Sequence, residues 1–225
     1  MSKKFIEFLK YPKISEPPIS LSFQMSILLI FRSFFLYIVA IFFFSILFLP
    51  VLKVLNLVPK FGFNSSDIPL SFKALILAPI FEEIIFRLPL KFSKQNFFLF
   101  LACLHFLLFS HAYKTSILCL ISFIIALIPY LKLIPEPPFF RLKILWGKYF
   151  YLIYYGFAIF FGLVHMSNFV NLTFAHFLFF PLIVFNQIAM GLILGYVRVT
   201  YLNGFILGVI IHILINLPFI LIPHL

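Results

Sequence analysis

LSFQMSILLIFRSFFLYIVAIFFFSILFLPV, residues 21–51, carries a single charge, Arg32, across its whole length. An apolar run of 18 or more residues is long enough to cross a bilayer as a helix, because about 20 residues span its hydrocarbon core. The stretch before it, MSKKFIEFLKYPKISEPP, is basic and ends in prolines. The run is too long for the apolar region of a signal peptide and lacks a small-residue cleavage site, so it reads as an uncleaved first span.

The rest of the chain repeats the pattern. Of 225 residues, 64% are hydrophobic, 10% are charged and 36 are Phe. A soluble domain of this size needs more polar cover than that. The reading is therefore all-α, a polytopic transmembrane helical bundle forming one membrane-embedded domain over 1–225, with no room for a soluble domain. About seven spans are predicted, at 21–51, 68–90, 95–111, 115–134, 149–166, 172–198 and 203–222. Five would serve if two of the shorter runs are re-entrant. Residues 1–20 form a cytoplasmic N-terminal segment, and the location is the cell membrane, multi-pass.

Charge placement supports that topology. The net charge is +11, but the cations are scattered among connecting stretches with no basic stripe or recognition motif, which argues against nucleic acid as a partner. With the N-terminus inside, the inner segments hold Lys3, Lys4, Lys10, Lys13, Lys91, Lys94, Lys132, Arg141, Lys143, Lys148 and Arg198, and the outer ones hold Lys53, Lys60 and Lys114. That asymmetry follows the positive-inside tendency. In PEPPFFRLKILWGKYFYLIYY (135–155), Pro135, Pro137 and Pro138 are read as preventing helix. Trp146 and the tyrosines after it suit the headgroup level, so the hydrocarbon part of the fifth span is expected to begin near Gly156. Cys103 and Cys119 both fall in apolar runs and imply no disulfide framework.

Chemistry enters with APIFEEIIFRLPL (78–90). Two adjacent carboxylates, Glu82 and Glu83, stand among apolar residues with Arg87 nearby. An ionisable side chain at bilayer depth costs about 2.5–3.5 kcal/mol even on insertion scales, which makes it a functional candidate. Glu83 and Arg87 are spaced i, i+4 and can pair as a structural staple. Glu82, rotated about 100° away, has no partner on its own helix and is left as the candidate general base. Phe161 and His165 are i, i+4 in FGLVH, and His212 and Asn216 are i, i+4 in HILIN. Gly204 and Gly208 share the His212 stripe, and Gln187, Gly191 and Gly195 form another. Small residues let helices approach closely, so these faces should turn inward. Counting 1.5 Å per residue from the inner boundary puts Glu82, His165 and His212 at one depth, roughly 12–14 Å in, where three helices can line one cavity. His105, His111, His176 and His224 read as packed or interfacial histidines.

The ordered motifs EExxxR (Glu82 to Arg87), FxxxH (Phe161 to His165) and HxxxN (His212 to Asn216), with QIAMGLILGY (187–196) between the last two, resemble the CAAX protease and bacteriocin-processing family, also called CPBP or Abi. The resemblance covers about 75–218. The separation of 83 positions from Glu82 to His165 exceeds the family's usual gap, which implies an inserted helical pair at about 95–134. A second FxxxH candidate near Phe106 to His111 has the wrong spacing.

The resemblance implies an intramembrane endopeptidase of glutamic type. Glu82 would activate the attacking water and His165 would help to hold it. His212 and Asn216 would stabilise the oxyanion, and Glu83, Arg87 and Phe161 would support the site. The substrate would be a peptide or membrane-protein segment, lipidated ones included, with the lipid bilayer as the other partner. No metal or cofactor is implied, although Glu82, His165 and His212 could also supply the His₂Glu set of a catalytic zinc. Two other readings stay open: a non-catalytic immunity or scaffold protein of the same fold, and a proton-coupled transporter, since intramembrane Glu and His also build proton relays.

Overall fold

A computed structural model describes residues 2–61, 73–109, 115–129 and 136–221. The described chain is mostly helical. Helix α1 (Ser2–Lys10) is followed by α2 (Phe23–Val54). The Ser22 side chain accepts the Met25 N–H at the start of α2, satisfying one of the donors that a helix N-terminus leaves free. At 32 residues, α2 is one of two described helices long and apolar enough to cross a membrane, the other being Phe150–Asn168. Its outward face carries exposed Phe31, Phe35, Phe42, Phe43 and Leu47.

The carboxylates sit on α3 (Ala78–Phe86), which continues a π-helical turn at Lys73–Leu77. The stretch expected to span 68–90 does not run as one α-helix. Pro89 has no N–H to give the Ile85 carbonyl, so the ladder stops. Arg87 leaves helical geometry and Leu88–Leu90 close a 3₁₀ turn. Next come α4 (Lys94–Phe109) and α5 (Thr115–Leu127), which pack against each other at the position expected for the inserted pair. His105 Nδ1 lies 3.0 Å from Ser122 Oγ and ties the two together.

Residues 136–148 correct the sequence reading. They form a helix, α6 (Glu136–Lys148), with Pro137 and Pro138 in its first turn. Proline is tolerated there because the first-turn N–H groups have no intrahelical acceptor. Pro135 lies outside the described residues. The following helix, α7 (Phe150–His165), occupies the stretch expected as the fifth span, 149–166. The run 172–198 is also divided, into α8 (Phe174–Leu178), α9 (Phe180–Ile183) and α10 (Phe185–Thr200). Pro181 cannot donate to the Phe177 carbonyl, which accounts for the break there. His176 accepts the Thr173 N–H at 3.1 Å and caps α8, a structural role. The last helix is α11 (Gly204–Leu221).

Helix α10 is the centre, packed by α7, α11 and α2, and every residue from Ile193 to Thr200 is buried. The helix is mostly apolar, with Arg198 its one charge, which suits a core position. Gly191 and Gly195 let α7 approach: a Cβ at Gly191 would lie 3.1 Å from Ala158 Cα, and one at Gly195 would lie 2.8 Å from the Tyr154 ring.

The ends of the bundle differ. At one end β1 (Lys60–Phe61) pairs antiparallel with β2 (Phe169–Val170). At the other, the N-terminal segment docks on the end of α10. Ser15 N donates to Val199 O (3.3 Å), Ile19 N to Thr200 O (2.9 Å) and Leu202 N to Ile19 O (3.0 Å). Phe5 sets its edge on Tyr196, Phe8 packs on Tyr154 and Tyr196, and the Tyr155 hydroxyl donates to the Leu9 carbonyl.

Candidate active site

Helix α3 aims its two carboxylates differently, as a 100° step per residue requires. The Glu83 side chain is 1% exposed and that of Glu82 is 28% exposed. Glu83 Oε1 lies 3.4 Å from Arg87 Nε, one turn along the same helix, so the expected pair is present. The guanidinium also lies over the Phe161 ring, 3.8 Å from its centroid. Arg87 is thus held by charge on one side and by a π face on the other.

Glu83 has a second partner that the sequence did not reveal. Its Oε1 lies 3.0 Å from His212 Nδ1. Gly208, one turn before His212 on α11, makes room for this contact, since a Cβ there would come within 3.1 Å of Glu83 Oε2. The small-residue stripe had implied that His212 faces inward, and it is 1% exposed. Nothing in the spacing said which carboxylate it would meet. Its bond to Glu83 fixes the ring: Nδ1–H donates to the carboxylate, and in the neutral tautomer Nε2 carries the lone pair.

That Nε2 faces Glu82, 3.4 Å from Oε2. His165 is oriented the same way. Its Nδ1 donates to the Phe161 carbonyl at 2.8 Å, one turn back on α7, leaving Nε2 3.9 Å from the same Glu82 oxygen. The Phe161 ring lies 4.5 Å from the His165 ring and 6.1 Å from the His212 ring, and buttresses both. Residues from α3, α7 and α11 therefore meet at one point, as the depth count anticipated. Glu82 Oε2 is buried and has no hydrogen-bond partner among the described residues.

The electrostatics of that point are specific. Three acceptors face it: a carboxylate oxygen and two imidazole lone pairs. A water molecule can donate to two of them and expose its own oxygen. Among the described residues no group of three or more His, Cys, Asp or Glu is placed to hold a metal ion. Asn216 lies one turn beyond His212 and is half-buried, and its side chain makes no hydrogen bond among the described residues. His111 and His224 lie outside the described residues.

No protein-family model matches the chain, and no curated protein or solved structure matches it.

Proposed function

We propose that the chain is a multi-pass membrane protein with a cytoplasmic N-terminus and that it works as an intramembrane endopeptidase resembling the CAAX-type proteases. The apolar outward faces and the two long apolar helices support the bilayer setting. So does the gathering of the N-terminal segment, Lys91 and α6 at the end opposite the β-ladder.

The observation that carries the chemistry is the meeting of Glu82 Oε2 with the Nε2 atoms of His212 and His165, at 3.4 and 3.9 Å. A water held there is positioned for Glu82 to take its proton as the oxygen attacks a peptide carbonyl. The negative charge then develops on the former carbonyl oxygen. The Asn216 amide donates to it, while neutral His212, its Nδ1–H held by Glu83, orients the water through Nε2. The proton held by Glu82 passes to the departing amine. Glu83 and Arg87 act through His212 and Phe161, keeping the ring planes fixed. The substrate class is a peptide or membrane-protein segment, lipidated segments included. The mechanism is metal-free.

The test is cleavage of a membrane peptide by the purified chain in detergent, compared with Glu82→Gln. Turnover is expected in the parent only, and near-full turnover in the variant would overturn the reading. A second arm addresses metal: phenanthroline is expected not to inhibit. Inhibition reversed by added zinc, with stoichiometric zinc in the purified protein, would make Glu82, His165 and His212 ligands instead.

A further inference from the structure

At the end where the N-terminal segment docks, a cavity of about 550 Å³ lies between residues 14–18, Lys91–Phe92 and α6. Its volume falls within the range of about 300–1,000 Å³ usual for ligand sites. Three lysines, Lys91, Lys143 and Lys148, line it against one acidic residue, Glu16. The remaining wall is largely apolar and includes Phe92 and Trp146. We propose that this cavity holds the phosphate of an anionic lipid headgroup, with the apolar wall taking the start of its chains.

Two observations favour an anion. Trp146 is in the cavity wall and its Nε1 is buried with no hydrogen-bond partner among the described residues, an unpaired donor that is costly unless the ring turns it toward an acceptor. Lys91 is the second. Its Nζ donates to the Tyr201 carbonyl at 2.9 Å, leaving two further N–H groups to give. Burial, and then the nearby Arg198 charge, push the Lys91 ammonium down to about 8. A cation so destabilised gains from a negative neighbour.

The shared chemistry is a phosphate-bearing anion, and its two sources are a lipid headgroup and free phosphate. The apolar wall favours the lipid, as does a basic pocket on the cytoplasmic side of a membrane bundle. This inference rests on the bilayer setting proposed above and is independent of hydrolysis.

Trp146 is the only tryptophan in the chain, so its emission reports on this cavity directly. The experiment titrates the full chain in detergent with short-chain phosphatidylglycerol, short-chain phosphatidylcholine or inorganic phosphate. A saturable emission change is expected with phosphatidylglycerol alone. Lys143→Gln with Lys148→Gln, both exposed positions, should weaken it about tenfold or more, and Arg at both positions should restore it. Glu82→Gln should respond like the parent, which separates this result from any failure of the protease reading. An equal response to phosphatidylcholine would remove the anion from the proposal, and an equal response to inorganic phosphate would remove the lipid. Absence of any response, or indifference to the double substitution, would remove the site.

Discussion

Glu82 and Glu83 are adjacent in sequence and opposite in circumstance. Glu83 is bound on two sides, by Arg87 at 3.4 Å and His212 at 3.0 Å, and is sealed from solvent. Removing one member of such a buried set leaves the others uncompensated, at a cost of about 3–5 kcal/mol. Arg87→Ala should therefore lower the melting temperature in detergent as well as activity. Glu82 is partly exposed and its Oε2 has no hydrogen bond to lose. Glu82→Gln should melt with the parent and lose turnover, and a Glu82→Gln protein that melts far below it would make that carboxylate structural. The i, i+4 pair was legible in the sequence because both members lie on one helix. The Glu83–His212 bond was not, because it joins residues 129 apart and depends on the space at Gly208.

At the scale of elements, glycines locate the close approaches. Gly191 meets backbone: a Cβ there would lie 3.1 Å from Ala158 Cα, which cannot rotate away. Gly191→Ala should push α7 from α10 and cost about 1–3 kcal/mol by overpacking. Gly156, on the same α7, has nothing within 4 Å of its would-be Cβ. Gly156→Ala should be neutral or stabilising by about 0.5–1 kcal/mol, since alanine suits a helix interior better. Thermal unfolding of both in one detergent checks the pair, and equal effects would mean that α7 and α10 do not pack in this way. The stripes at 191, 195 and 208 were readable from spacing. Helix breaks were harder, because proline acts by position: Pro89 and Pro181 interrupt, whereas Pro137 and Pro138 sit at a beginning.

For the whole molecule the grouping of cations was easier to read from the sequence than the continuity of the helices. The cations placed inside by counting include Lys91, Lys143 and Lys148, which do gather around one cavity with the N-terminal segment. How far each helix runs could not be counted the same way, since tertiary contacts and short 3₁₀ and π turns decide it. The topology is open to a direct test. With Cys103 and Cys119 replaced, Lys10→Cys and Lys60→Cys place single thiols on exposed positions at the two ends. An impermeant maleimide applied to intact cells should label Lys60→Cys only, and label Lys10→Cys after lysis. Labelling of both from outside would contradict a cytoplasmic N-terminus.

The docking of residues 15–19 on the end of α10 also has a consequence for biosynthesis. Ile19 bonds to Thr200 and Leu202, so a segment synthesised earlier waits for one made about 180 residues later. At about 5–20 residues per second that wait is roughly 10–40 s. Throughout it, Phe5 and Phe8 have no Tyr196 to cover them. A growing chain therefore presents an apolar handle to chaperones and proteases, and completing α10 withdraws it. Chains truncated before residue 185 should be clipped in the first twenty residues under limited proteolysis, while the full chain resists. Equal resistance would mean that the segment is protected by something other than α10.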